Sequence, residues 1–329
     1  MRALALFSGG LDSMLAIKTV VDMGIEVTAL YIKIGFDGTK DIGDILSSRA
    51  MKAGASAFEI IDVRDEYVEK ILFAPKYGYG KNFNPCIDCH GYMFRIAKEL
   101  LPKYNASFII TGEVLGQRPM SQRSDAIRLV SKLANDIDEK LILRPMSAKL
   151  MEATTPEIKG WINRDNLLDI SGRGRDRQLA LAKEFGWEDY ESPGGGCLLT
   201  DPYYSQKMRE HIANDKFDIE DIEVLKYGRH FRLPDGAKLI VGRDKEDNDS
   251  LESLQTSKFT SFKLPVIGPY SLISKNSTTK DKELGAKIAL TYAKNDKNST
   301  YEIIIGDEVV KVTPFPSKNE PREYFAIKD

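Results

Sequence analysis

Two sets of residues in this sequence have the types and spacing to do chemistry. The first is Ser8-Gly9-Gly10-Leu11-Asp12-Ser13, which follows the apolar run Ala3–Phe7 and precedes Met14-Leu15-Ala16-Ile17 at helical spacing. A buried strand, a glycine turn and a helix start together make a phosphate site. Glycine lacks a Cβ, so the backbone at Gly9 and Gly10 can turn sharply and bring N–H groups against an anion. The following helix adds unpaired N–H groups and the positive end of its dipole. Ser8 and Ser13 supply hydroxyl donors, and Asp12 is placed to hold a magnesium ion against the phosphates. The Gly-Lys-Ser/Thr ending of the Walker loop is missing, so no lysine reaches the terminal phosphates, which disfavours a motor or a kinase. A plain turn with polar helix caps would use the same residue types, but it would not need this strand–turn–helix setting.

The second set is the three cysteines. Cys86 and Cys89 form Cys86-Ile87-Asp88-Cys89-His90, and Cys197 ends Ser192-Pro193-Gly194-Gly195-Gly196-Cys197. A CxxC at a helix start puts two sulfurs one turn apart, where the dipole is expected to lower thiol pKa values. Such a pair suits a redox dithiol, half of a zinc site or part of an iron–sulfur site. The run of glycines leaves the Cys197 thiol accessible and permits close approach to a ligand. Taken together, three thiolates suit an iron–sulfur cluster with one iron open, or one persulfide carrier plus a resolving pair. A structural zinc site would need a fourth ligand such as His90.

The elements that must position these groups follow from periodicity. Glu26–Ile32, Ala57–Ile61, Ser107–Thr111 and Leu141–Pro145 read as strands, alternating with helical stretches at 42–53, 65–73 and 92–101. Strands alternating with helices imply an α/β fold with a parallel sheet and right-handed crossovers. Ligands in such sheets lie beyond the carboxyl ends of the strands, where the glycine loop and Thr111-Gly112 fall. Gln117, Arg118, Gln122 and Arg123 follow in a stretch without strong periodicity, suited to substrate or phosphate contact. Ser171-Gly172-Arg173-Gly174-Arg175-Asp176-Arg177 alternates glycine with arginine, so Arg173 and Arg175 join Arg118 and Arg123 as candidate RNA contacts. From about Phe231 the sequence changes to short strand-like runs, with a hairpin turn at Gly306-Asp307-Glu308 and a helix over 284–292. The expected division is a nucleotide-binding domain at 1–170, a connecting segment at 171–230 and a smaller α+β domain at 231–329.

The 329 residues are 42% hydrophobic with a net charge of −2. Global charge therefore does not announce a nucleic-acid partner, which would need local basic patches. No stretch reaches the ~18 apolar residues of a membrane span, and the N-terminus shows no signal-peptide pattern. A cytoplasmic protein is expected, in which an odd count of cysteines serves chemistry or metal binding before disulfides.

The Ser8–Ser13 loop resembles the PP-loop of ATP pyrophosphatases, which cleave ATP between its α and β phosphates and adenylate a substrate oxygen. The wider combination resembles the tRNA thiouridine synthetases of that superfamily. Asn84-Pro85-Cys86-Ile87-Asp88-Cys89 lies where the 2-thiouridylases carry Asn-Pro-Asp-x-x-Cys, and Thr111-Gly112 matches their strand-end Thr-Gly. Cys86 replaces the aspartate, giving the CxxC seen in cluster-dependent thiolases. The resemblance implies an ATP-dependent tRNA sulfurtransferase with the adenine nucleotide alpha hydrolase-like fold. ATP and magnesium would sit on Ser8, Gly9, Gly10, Asp12, Ser13, Thr111 and Gly112. Asp12, Cys86, Cys89 and Cys197 would be catalytic, the cysteines handling sulfur directly or as cluster ligands. A cysteine desulfurase or sulfide would supply the sulfur. Ile240–Asp249 with Ala289–Ala293 downstream resembles the NFACT RNA-binding module, which implies Arg243, Lys245 and Lys238 as phosphate contacts. The rival readings are a PP-loop ligase acting on a small molecule, of the argininosuccinate synthase type, and a non-catalytic RNA-binding adaptor.

Overall fold

A computed structural model of the chain describes residues 1–38, 42–190 and 196–327. These form two compact units, Met1–Thr200 and Asp201–Asp329.

The first unit carries a parallel five-stranded sheet. In chain order it is built from β1 (Arg2–Leu6), α1 (Leu11–Val21), β2 (Glu26–Lys33), α2 (Gly43–Lys52), β3 (Ala57–Asp62) and α3 (Arg64–Tyr67), which runs into a π-helical turn at Val68–Leu72. Then come α4 (Cys86–Leu100), β4 (Phe108–Thr111), α5 (Ser124–Leu133), β5 (Ile142–Leu143), α6 (Thr155–Ile158) and α7 (Asp176–Glu184). The strand order is β3-β2-β1-β4-β5, and every pairing is parallel. Ala3, Leu4 and Ala5 are all buried, as expected of a central strand covered on both faces, which reads as a continuous apolar run. The chain order reverses at β1, whose Leu6 is in register with Leu30 of β2 on one side and Thr111 of β4 on the other. That switch point opens a crevice at the carboxyl ends of β1 and β4.

The α1 helix is anchored by Leu11, Met14, Leu15, Ile17 and Val20, all at most 1% exposed. Each such side chain contributes about 1.5–3 kcal/mol through burial. This helix cannot shift easily, so the loop that leads into it is held by the core. The core of this unit also takes in Leu167, Ile170, Ala182 and Trp187. The stretch from 171 is therefore no free connecting segment: its helix α7 packs into the first unit, and the division falls after Thr200. The strand expected over 141–145 is only two residues long, because Arg144 leaves the ladder to pair with Glu113.

The second unit opens with α8 (Pro202–Asn214) and α9 (Ile219–Val224). There follow β6 (Arg229–Arg232), β7 (Lys238–Val241), α10 (Lys245–Ser253), β8 (Phe259–Lys263), β9 (Ser271–Ser274), α11 (Thr279–Thr291), β10 (Tyr301–Ile305) and β11 (Glu308–Val312). Its six strands are antiparallel, in the order β11-β10-β8-β9-β7-β6. The expected hairpin turn is present, with Gly306 at φ +59 between β10 and β11. The α+β reading of this part holds, with two further helices ahead of 231.

Candidate active site

The Ser8–Ser13 stretch forms a tight cradle at the carboxyl end of β1. Gly9 adopts φ +73, and a Cβ there would lie 2.3 Å from Leu46 Cδ2, so both conformation and space require glycine. The α1 helix begins at Gly10 with no side-chain cap. Ser13 N–H bonds Gly10 O at 3.0 Å and Ser13 Oγ donates to the same oxygen at 2.7 Å. From the far side, Gly112 presses directly onto the helix start, where a Cβ would lie 2.4 Å from Ser13 N and 2.5 Å from Asp12 C. The Thr111-Gly112 pair thus meets the phosphate loop backbone to backbone, and an uncapped helix start at such a switch point favours an anion.

Asp12 does not stand alone. Its Oδ2 accepts from Gln117 Nε2 at 2.7 Å and pairs with Arg175 Nη2 at 3.4 Å. Gln117 Oε1 in turn accepts from Gln178 Nε2 at 3.0 Å. Asp12 Oδ1, Arg175 Nε and Gln178 Oε1 are buried without a hydrogen-bond partner among the described residues. A carboxylate with one free oxygen at a phosphate cradle fits the magnesium expected there. The glycine–arginine stretch reaches this loop because it is pinned. Gly172 N–H bonds Leu115 O at 2.7 Å, and the fully buried Ser147 accepts from Leu115 N–H while donating to Ile170 O at 2.6 Å. The structure therefore places Arg175 on the phosphate loop, where the sequence suggested an RNA contact. Arg173 is exposed, and Arg123 is exposed with its guanidinium on Asp125.

Cys86 and Cys89 lie on the first turn of α4, and Cys197 lies in the loop just before the short turn Leu198–Thr200. Asn84 Nδ2 donates to Cys86 Sγ at 3.0 Å. The buried Asp88 accepts from the N–H groups of Lys76 and Tyr77, at 2.7 and 3.0 Å, fixing the loop ahead of the motif. Leu198 N–H bonds Phe36 O at 2.8 Å, and Asn82 Nδ2 donates to Thr200 O at 2.5 Å. The first bond ties the residue after Cys197 to the loop that follows β2, and the second ties Thr200 to the loop before Cys86. Cys89 is buried, Cys86 half-buried and Cys197 exposed. The charges of Cys197 and Cys86 reach Cys89, and that of Cys86 reaches Cys197. Gly194 and Gly195 of the glycine run lie outside the described residues; Gly196 adopts φ +114.

The expectation of thiols acidified by the helix start is corrected. Burial pushes Cys86 up, against the opposing hydrogen bond from Asn84 and the charge of Arg118, and pushes Cys89 well up. Desolvation of a charged sulfur outweighs the dipole here. The effect of Arg118 also places that residue in the sulfur neighbourhood. Among the described residues no three His, Cys, Asp or Glu side chains gather as a metal-ion site. The cysteines thus offer the donor type of a cluster without a closed ligand set.

Sequence reasoning missed Tyr67 and the ion pairs that hold Glu113. Tyr67 is fully buried with its hydroxyl beside Cys89; burial first, then the charge and hydrogen bond of Cys89, push it well up, with smaller effects from Cys197 and Cys86. Glu113, also buried, accepts from Arg144 Nε at 2.8 Å and bonds His90 Nδ1 at 2.8 Å. Burial alone would raise this carboxyl, but Arg144 and His90 outweigh it and hold it low. The signal available for Glu113 was its place after Thr111-Gly112; nothing in the local sequence marked Tyr67.

In the second unit Arg243 is clamped by Asp247 through Nε and Nη2, at 2.6 and 3.0 Å. Lys238 is not a surface phosphate contact: it is fully buried and ion-paired to Glu210 at 2.6 Å. Its place as the first residue of β7, a strand paired on both sides by β9 and β6, explains the difference. Lys245 is exposed. Among the described residues no helix is long and apolar enough to cross a membrane.

Comparison with known proteins agrees with the resemblances read from the motifs. Residues 2–77 match the family described as the arginosuccinate synthase N-terminal HUP domain, and residues 228–325 match the NFACT protein RNA binding domain. The chain is 30% identical over 247 residues to a tRNA-specific 2-thiouridylase MnmA of Petrotoga mobilis, covering 70% of this chain and 64% of the relative. It is 23% identical over 238 residues to the enzyme of the same name from Marinobacter nauticus, covering 70% of this chain and 58% of that relative. The chain thus spans about six tenths of the length of the curated relatives it matches. Among solved structures, a 4-thiouridine synthetase–RNA complex with bound ATP matches 68% of this chain and 52% of its own, at 19% identity and a TM-score of 0.39. The U34-tRNA thiolase NcsA of Methanococcus maripaludis, solved with its [4Fe-4S] cluster, matches 59% of this chain and 61% of its own, at 16% identity and a TM-score of 0.31.

Proposed function

We propose that this chain is an ATP-dependent tRNA sulfurtransferase that replaces a uridine oxygen with sulfur. The observation that carries the reading is that one compact unit holds both an uncapped glycine turn at the carboxyl end of β1, suited to phosphates, and all three cysteines. An ATP-cleaving loop alone would serve many ligases. Cysteines in the same unit would give the activated carbon its sulfur nucleophile.

In this reading Ser8, Gly9, Gly10 and Ser13 cradle the phosphates, Gly112 closes the far side, and Asp12 offers Oδ1 to magnesium. The uridine carbonyl oxygen attacks the α-phosphorus and pyrophosphate leaves. Sulfur then attacks the activated carbon, and AMP departs with the oxygen. Cys86, Cys89 and Cys197 handle the sulfur. Their raised pKa values keep them protonated at rest, which protects them until a sulfur donor or substrate enters. For a cluster the residues fit in type only, since no closed ligand set is gathered, and no step is routed through one. The second unit, matching an RNA-binding family, supports tRNA as the substrate carrier. Arg118, Arg123, Arg173 and Arg243 are its candidate contacts, and a desulfurase or sulfide the sulfur source.

The match of residues 2–77 to the arginosuccinate synthase family favours one other reading, a ligase for a small metabolite. Exchange of labelled pyrophosphate into ATP separates the two. Stimulation by tRNA and not by amino acids or other metabolites is expected; exchange driven by a metabolite without RNA would replace this reading with the ligase.

A further inference from the structure

Arg175 has a place no sequence pattern assigned to it. It lies 163 positions from Asp12 in the chain, yet its Nη2 sits 3.4 Å from Asp12 Oδ2 at the mouth of the phosphate loop. The contact is long, single-pronged and poorly matched to a guanidinium, which prefers a bidentate partner at shorter range. Arg175 Nε is buried and unbonded among the described residues, and so is Asp12 Oδ1. A buried guanidinium N–H left without a partner is costly unless something else completes it.

The surroundings hold this residue in place and do not satisfy it. Ser147 and the Gly172–Leu115 bond fix the stretch before it, and α7 packs behind it through the buried Ala182. Gln178, 0% exposed on the first turn of α7, keeps Gln117 turned toward Asp12 and still has Oε1 without a partner. Gln117 already fills the shorter contact to Asp12 Oδ2 at 2.7 Å. The carboxylate thus has a better partner, and the arginine is the donor in surplus.

We propose that Arg175 is a ligand for the phosphates of the nucleotide, delivered from the glycine–arginine stretch to the mouth of the loop beside Asp12. This rests on the reading of the loop as an ATP site. When phosphate enters, the guanidinium exchanges its weak contact with Asp12 for a bidentate one to phosphate oxygens. Asp12 is then released for the cation that accompanies the phosphates. The neighbouring Arg173, on the same pinned stretch and exposed, stays available to RNA. Nucleotide and RNA would then be gripped by residues two positions apart.

The test is the ATP affinity of the full chain, measured calorimetrically for the unaltered protein, Arg175→Ala and Arg175→Lys, with melting of each nucleotide-free protein as the control on folding. Loss of a charge-assisted bidentate contact predicts weakening by about 10- to 100-fold in Arg175→Ala. Arg175→Lys, which keeps the charge but not the fork, should fall between the two. ATP binding by Arg175→Ala within about twofold of the unaltered protein would overturn the proposal. If the alanine variant melts early, Arg175→Lys carries the test, and binding equal to the unaltered protein overturns it. An unaltered chain that does not bind ATP would instead overturn the functional reading itself.

Discussion

Two helix starts carry the candidate chemistry, and they are built oppositely. The α1 and α4 helices both begin without a side-chain cap, at Gly10 and Pro85. At α1 the backbone turns on glycines, polar atoms are left with free hydrogen-bonding capacity, and rigid packing holds the loop in one shape. At α4 the first turn holds the buried Asp88 and Cys89, and burial raises the thiols despite the helix dipole. The same backbone feature therefore frames a candidate anion site in one place and a candidate sulfur site in the other. What differs is solvation: an uncapped helix start attracts negative charge only where desolvation does not cost more than the dipole returns.

That comparison is breakable in graded steps. The largest effect is expected from Cys89→Ala and Cys197→Ala, which should abolish thionucleoside formation while ATP affinity stays within about twofold. Nucleoside mass spectrometry and calorimetry on the same samples check both halves. Loss of ATP binding in the cysteine variants would show that the two starts are one site.

Next in size is Gly112→Ala. Its Cβ would meet the backbone of Ser13 and Asp12, neither of which can yield as a flexible side chain could. A cost of about 1–3 kcal/mol from overpacking is expected, with ATP binding weakened by about 10- to 100-fold. Unchanged binding would mean the cradle does not depend on this close approach.

A smaller effect concerns Cys86 and its pH dependence. Its folded thiol is raised above 9.0 because burial outweighs Asn84 and Arg118. Only the thiolate alkylates, so in a Cys197→Ser chain the rate at Cys86 should rise about tenfold per pH unit through the neutral range, without levelling before about pH 9. Asn84→Ala, which removes the bond to the sulfur, should slow it further. A plateau near neutrality would show an acidified thiol and reverse the contrast with α1.

The smallest effect on the chemistry should come from the second unit. Glu210, Asp215 and Asp221 are each raised by burial but held below their ordinary values by stronger partners, among them Arg232, Lys238, His211 and Lys258. A carboxylate depressed on folding contributes stability that is complete above its unfolded pKa and is lost as pH falls through its folded one. Acid should therefore weaken this unit progressively below about pH 4, where the unfolded carboxylates take up protons and the folded ones resist them. Glu210→Gln, which strands the buried Lys238, should cost about 3–5 kcal/mol in its melting, with ATP affinity unmoved.

Much of this was legible in the sequence because it is local. Gly9, Gly10 and the apolar runs around them specify strand, turn and helix within about twenty residues, and the alternation of elements implies the parallel sheet. The CxxC was visible for the same reason. What stayed hidden depends on long-range contact. Arg175 reads as one arginine among several in a glycine-rich stretch, and only the Ser147 and Gly172 bonds show where it is held. Lys238 reads as the polar start of a strand, and its burial on Glu210 is a tertiary event. The raised thiols were misread because the dipole is a local property and desolvation is not.

The central claim, that the two helix starts are the activating and sulfur-delivering halves of one reaction on tRNA, is tested most directly in a purified mixture. The protein, ATP with magnesium, unmodified tRNA and sulfide are incubated under anaerobic conditions, and AMP and digested nucleosides are measured together. Thiouridine and AMP forming in equal amounts, with neither formed by Asp12→Asn, is the predicted result. AMP formed without any thionucleoside, at a rate indifferent to tRNA, would contradict it.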